Sequence, residues 1–189
     1  AIDVSPITPQ RTGIGNYCFY LLRPMSAQAP EVEFKGFSSG SARVALEDLG
    51  ARVSHRHIGV PSRALYGTWT WLGRPRLDDL LGGADIVHGT NFFLPPAHRA
   101  RRVLTVHDLA FVVRPDLCDP WVVGPFRKRI GAFARAADAV LVYSESTRAD
   151  LERCLNVGGD KVWVAPLAVD EDFRPMPREA AAAQLREQH

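Results

Sequence analysis

Four short apolar runs, Ile86-Val87, Val103 to Val106, Ala139 to Tyr143 and Val162 to Ala165, narrow the folds open to this chain more than any other pattern in it. Each is too short for a buried helix and too apolar for a strand with one wet face, so each predicts a strand covered on both sides. Segments of helical period lie between them. Val122 to Ala137 sets Phe126, Ile130, Phe133, Ala134 and Ala137 on one side and Arg127, Lys128 and Arg135 on the other, which predicts one long helix. Ser144 or Ser146 can cap the next helix, which runs to about Leu155. Upstream, Cys18, Leu21, Leu22 and Met25 recur at helical spacing, with Pro24 as the expected limit of that helix. Val32 to Phe37 and Val53 to Ile58 read as strands, the second polar on one face through His55 and His57; Ala42 to Leu49 reads as a helix stopped by Gly50, and Leu77, Leu80 and Leu81 form a short helical stripe. The repeated strand–helix–strand order predicts an α/β fold, a doubly wound and mostly parallel Rossmann-like sheet over residues 1–175.

A length of 189 residues suits one sizeable domain. A net charge of +2 argues against nucleic acid as a partner. Cys18, Cys118 and Cys154 are odd in number and spaced unlike a metal or redox motif, which predicts no metal site and a reducing, cytoplasmic setting. No run approaches the roughly 18 apolar residues of a spanning helix.

In a sheet of this kind ligands bind beyond the carboxyl ends of the strands. Polar clusters fall at four such ends: Gly13 to Asn16, His88 to Asn91, His107-Asp108 and Ser144 to Thr147. Gly13, Gly15 and Asn16 open a helix directly after a strand. Glycine there lets backbone approach an anion, and the helix start offers free N–H groups and partial positive charge. A tight turn explains the same glycines on steric grounds. Ser144, Glu145, Ser146 and Thr147 make a second helix start at the predicted cleft, which capping also explains, and His88 and Asn91 are candidates to line an acceptor pocket. Two aromatic-basic stretches, Arg63 to Arg76 with Tyr66, Trp69 and Trp71, and Trp121 to Arg129 with Phe126, suit either an anionic bilayer surface or core packing of the rings with solvated charges.

The order of several motifs is that of a known family. Asp3-Val4-Ser5-Pro6, Arg11 to Tyr17, Ala84 to Asn91 with Leu94-Pro95-Pro96, Leu104 to Leu109, Ala137 to Thr147, and Val164 to Asp170 with Phe173 and Pro175 together span nearly the whole chain. In this order the chain resembles the N-terminal half of family-4 (group 1) glycosyltransferases, retaining enzymes of the two-domain GT-B fold, with wording around Gly13-Ile14-Gly15, Gly89-Thr90-Asn91 and Val106-His107-Asp108 most like bacterial mannosyltransferases. The resemblance implies a hexose, with mannose a candidate, moved with retention from a nucleotide-diphosphate sugar to a hydroxyl of a saccharide or lipid-linked acceptor. That donor is a substrate, and no cofactor is implied. Peripheral contact with the inner face of a membrane is a candidate partner role. The resemblance also implies that residues 176–189 form a linker helix toward a C-terminal donor-binding domain, so that this stretch alone is an inactive half. It sets Gly13 and Gly15 against the donor diphosphate and gives His107 a hydrogen bond to the sugar or stabilisation of developing negative charge. Asp108 either orients His107, contacts acceptor, or serves as a turn residue. The rival reading is a non-catalytic Rossmann-like module that binds a nucleotide or a protein partner and has no need of His107.

Overall fold

The computed structural model describes residues 1–40, 44–46, 49, 52–169 and 174–188. Seven strands form one sheet: β1 (Ile2–Asp3), β2 (Phe34–Ser39), β3 (Val53–Ile58), β4 (Ile86–Gly89), β5 (Arg101–Thr105), β6 (Ala139–Val142) and β7 (Val162–Val164). They lie in the order β3-β2-β1-β4-β5-β6-β7, and every pair is parallel. This is the doubly wound α/β architecture expected from the short apolar runs, and it agrees with the N-terminal half of a GT-B fold. Parallel neighbours need crossovers; helices on both faces carry those from β1 to β2, β3 to β4, β5 to β6 and β6 to β7, while residues 90–100 pass from β4 to β5 without a helix.

Helix α1 (Gly13–Gln28) covers β1 and β2 through Cys18, Phe19 and Leu22, which pack on Ile2, Val4 and Phe34. On the other face, α2 (Ser62–Leu72) and α3 (Leu77–Leu80) bury Leu65, Trp69 and Leu77 against Phe37 and Val87. Helices α4 (Ala110–Val113), α5 (Pro120–Arg127), α6 (Ile130–Ala136) and α7 (Glu145–Leu155) close the remaining half around Leu104, Val106, Val140 and Val142. Helix α8 (Arg178–Gln188) follows. Lys161 seats its ammonium on the last carbonyls of α6, at 2.9 Å from Ala134 and Arg135, where the helix dipole favours a cation.

Several expectations are corrected. Pro24 lies inside α1 instead of ending it. Burial of Leu22 and Ser26 on either side of it holds the helix together, as tertiary packing can outweigh the ~3 kcal/mol cost of a proline. Met25 points outward, and Ser26 takes the inner position. The single helix expected over Val122 to Ala137 is two, because Arg129 N–H bonds the Phe126 carbonyl three residues back and tightens the turn. Its apolar stripe nevertheless stays on the core. Half of the helix expected over Ala42 to Leu49 lies outside the described residues, as do Asp170 and Phe173; residues 44–46 carry no regular structure.

In the stretch Arg63 to Arg76, a candidate bilayer surface, Leu65 and Trp69 belong to the core while Trp71 and Leu72 are exposed. Trp69 is 4% exposed and donates its indole N–H to the Pro75 carbonyl at 2.7 Å. Tyr66 stacks on Phe93 with centroids 4.4 Å apart. Trp71 alone of these rings faces solvent, at 81%. Among the described residues no helix is long and apolar enough to cross a membrane.

Candidate functional site

Because all strands run the same way, the segments after β1, β4, β5, β6 and β7 leave from one edge of the sheet. The strand order reverses at β1, which pairs with β2 on one side and β4 on the other. Such a switch point opens a crevice above the strand tips. Thr12 caps α1 and its hydroxyl accepts the Gly15 N–H at 3.5 Å. The two glycines of this turn then part company. A Cβ on Gly15 would stand 2.4 Å from the Pro6 carbonyl oxygen, so packing under that turn, rather than approach to a ligand, requires Gly15. Gly13 has nothing within 4 Å of its Cβ position and its backbone lies open to solute.

Gly13 forms one rim of a cleft of about 380 Å³ between the first turns of α1 and the tips of β6 and β7. Asn16, Tyr17 and Tyr20 wall it on the α1 side, and Tyr143 and Pro166 face them. A larger cavity, about 690 Å³, lies at the opposite edge of the sheet beside Glu33, Lys35 and Asp85. It sits at the amino ends of the strands, away from the switch point, and the smaller cleft is the better candidate on topology.

His107 stands one turn of chain beyond β5, half-buried beside this cleft. Its Nε2 lies 2.8 Å from the Thr90 carbonyl, which can only accept, so Nε2 carries a proton. The Tyr143 hydroxyl bonds Nδ1. Burial lowers the pKa of His107, so at neutral pH the ring is uncharged and Tyr143 donates to it. Tyr17 and Phe92 meet the imidazole edge-on, at 5.3 and 5.1 Å between centroids. Phe92 adopts a φ of 55°, sparsely populated for a bulky residue. The turn that holds it is set by Gly89, where a Cβ would meet the Phe93 carbonyl oxygen at 2.0 Å. Strain of this sort, of order 1–3 kcal/mol, persists where surrounding structure over-determines it. Here it aims Phe92 at His107 and places the Thr90 carbonyl under Nε2. Both ring nitrogens of His107 thus have protein partners, Nε2 donating to Thr90 and Nδ1 accepting from Tyr143.

The other expected site residues divide. Asn16 lines the cleft, with its carbonyl oxygen accepting from Arg11 Nε at 3.2 Å. Asp108 is exposed; its carboxylate accepts the Ala110 N–H at 2.9 Å, the turn role, while its charge favours the cationic form of His107. Ser144 caps α7 by accepting the Thr147 N–H at 3.2 Å, and Thr147 is buried beneath it. Glu145 is turned away from the cleft toward a groove with Arg148 and Trp163, and Ser146 is exposed on the same helix start. His88 was expected to line the cleft but is 8% exposed, inside the sheet under α1. Burial drives its pKa down to about 4. Asn91 is half-buried in the β4 turn and not part of the cleft wall.

Tyr17, Tyr20 and Tyr143 are the cleft residues that the motif reading passed over. Tyr17 lies four residues after Gly13, one turn along the same helix face, and Tyr143 is the first polar side chain past the apolar run of β6. Those two positions were the available signal. Among the described residues no group of three or more His, Cys, Asp or Glu could hold a metal ion.

No curated protein matches the chain. The family model of Glycosyltransferase Family 4 matches residues 11–173, which takes in the α1 turn, the His107 tip and every strand from β2 to β7. A match over most of the chain, on a parallel sheet whose tips meet at the crevice described above, means that the chain belongs to Glycosyltransferase Family 4.

Proposed function

We propose that residues 1–175 are the acceptor-side domain of a retaining hexosyltransferase, with mannose the favoured hexose. The donor is a nucleotide-diphosphate sugar, and the acceptor is a hydroxyl of a saccharide or lipid-linked saccharide. Helix α8 serves as the linker to a donor-binding domain, and the three free thiols suit a cytoplasmic setting. The observation that carries this reading is the open start of α1: Gly13 brings backbone N–H groups to the rim of a cleft whose far wall is Tyr143 backed by His107. Diphosphate would lie at that helix start, where the dipole and unpaired N–H groups favour anions. Departure of the leaving phosphate and attack of the acceptor on the same face need positioning and charge stabilisation rather than a protein nucleophile.

The test is transfer by the full-length protein supplied with GDP-mannose and other nucleotide-diphosphate hexoses. Retained stereochemistry is expected, with no transfer by the 189-residue stretch alone. His107→Ala in the full-length protein should cut kcat by roughly 100-fold, the scale of misplacing the Tyr143 wall that the imidazole holds. A folded variant with unchanged kcat would favour a binding module instead.

A further inference from the structure

We propose that Asp3 is a positioning residue: its carboxyl group, protonated and sealed at the tip of β1, holds the Ser5-Pro6 turn on which the first turn of α1 rests. It is neither the base nor the nucleophile that a carboxyl group at a switch point suggests. The proposal deepens the transferase reading and rests on it for the activity readouts.

Asp3 closes β1, between β2 and β4, where the strand order reverses. It is 4% exposed and is not part of the cleft wall. Its Oδ1 accepts the Ser5 N–H at 2.9 Å, and its main-chain carbonyl accepts the Thr90 hydroxyl, also at 2.9 Å. None of the ion pairs among the described residues includes Asp3, and the influences on its carboxyl group are burial and hydrogen bonds from Ser5. The ionisable groups that face it are Cys18 from α1 and Tyr66 from α2, neither of them a cation. A carboxylate in such a place is a buried charge without a partner, and a group so placed takes up a proton instead. Burial accordingly pushes the Asp3 pKa up, and the Ser5 hydrogen bonds, which pull it down, are the smaller effect. Because Oδ1 takes the Ser5 N–H, the proton belongs on Oδ2. Asparagine reproduces that pattern, with Oδ1 as acceptor and an N–H in place of the O–H; alanine removes it.

What the carboxyl group holds is the floor under α1. With the Ser5 N–H pinned, Ile7 N–H bonds the Val4 carbonyl at 3.0 Å and Thr8 N–H bonds the Pro6 carbonyl at 2.9 Å, so the chain turns sharply out of β1. The Pro6 carbonyl oxygen so placed is the atom that a Cβ on Gly15 would meet at 2.4 Å. The Ser5 hydroxyl accepts the Ser39 N–H at 3.3 Å, which ties the same turn to the tip of β2. Asp3 thus acts on Gly13, Asn16 and Tyr17, the α1 residues at the cleft, through Ser5, Pro6 and Gly15, without lining the cleft itself.

Carbon-13 spectra of the aspartate-labelled full-length protein read the proton directly. The Asp3 carboxyl signal, assigned by its loss in Asp3→Asn, is expected at the protonated position at pH 7 and unmoved down to about pH 4. Asp3→Ala should speed exchange of the Ser5 amide hydrogen about tenfold and raise the KM for GDP-mannose about 3- to 10-fold, with a smaller change in kcat. Asp3→Asn should restore both to within about twofold of wild type and be the more stable protein at neutral pH. An acid whose folded pKa is raised costs stability once pH exceeds its unfolded value of ~3.9; asparagine has no such cost, so its gain should vanish below about pH 4. A carboxyl signal that titrates near pH 4, an unchanged KM in Asp3→Ala, or an Asp3→Asn variant that loses as much transfer as Asp3→Ala would each overturn the proposal. If Asp3→Ala does not fold, the carbon signal and Asp3→Asn against wild type decide, a loss of about 100-fold marking a general base instead. Failure of the transferase reading is separate: it would show as no sugar transfer by the wild-type full-length protein while the Asp3 signal stays protonated at pH 7.

Discussion

Trp69→Ala is expected to destabilise the domain by about 3–5 kcal/mol, read as a fall in the guanidinium unfolding midpoint at unchanged slope. The indole is buried, stacks at 5.7 Å on Phe93, meets Phe37 edge-on at 6.0 Å, and holds the Pro75 carbonyl through its N–H. Truncation leaves a cavity between α2 and the sheet and an unpaired carbonyl in the Arg74-Pro75 bend. Domain stabilities are typically about 5–15 kcal/mol, so this one change removes a large share. Trp71→Ala, two residues on and solvent-facing, should stay within about 0.5 kcal/mol of wild type. That contrast tests which face of α2 is core: near-equal losses for the two tryptophans would contradict the packing assigned to it.

Asp78→Ala should be comparably severe, about 3–4 kcal/mol by the same measurement. The Asp78 carboxylate is sealed beneath the segment between β4 and β5 and accepts N–H groups from His98 at 2.8 Å, Arg99 at 2.7 Å, Ala100 at 3.2 Å and Asp79 at 3.1 Å. Each buried donor left unpaired costs roughly 1–3 kcal/mol, offset where water can enter. Asn at this position keeps one acceptor oxygen and should recover part of the loss. The backbone donors also hold the Asp78 pKa down at about 2. A carboxylate whose folded pKa lies below its unfolded value of ~3.9 contributes stability above that value and loses it as pH falls toward the folded one. Wild-type stability should therefore drop between about pH 4 and pH 2, and Asp78→Asn should flatten that part of the profile. An unchanged acid limb would show that the clamp is not formed.

The sheet was legible because strands covered on both faces must be continuously apolar, and those of β4 to β7 are bounded by polar turns. The long helix was misjudged at Arg129 because periodicity reports which side of a segment is buried and is silent about a single tightened turn. Pro24 was misjudged for a related reason: a local breaker competes with packing that comes from β1 and β2, far away in sequence. At the site, residue type alone pointed to His107 and Gly13 but could not separate Gly13 from Gly15, since the Pro6 carbonyl that fixes Gly15 belongs to a turn the sequence does not spell out. His88 was misplaced by the two-residue period of a strand: one step along β4 decides between interior and rim. Tyr17 and Tyr143 went unseen because their meaning is relational. Each is an ordinary half-buried tyrosine until the register of β5 against β6 sets Thr105 opposite Leu141 and brings the next residues of both tips around one imidazole.

Amide chemical-shift mapping of the nitrogen-15-labelled domain against GDP-mannose together with methyl α-mannopyranoside tests the crevice itself. Shifts are expected to concentrate at Gly13, Asn16, Tyr17, Tyr143, Ala165, Leu167 and Ala168. Shifts concentrated instead at Glu33, Lys35, Asp85 and Arg99, around the larger cavity at the other edge of the sheet, would contradict it.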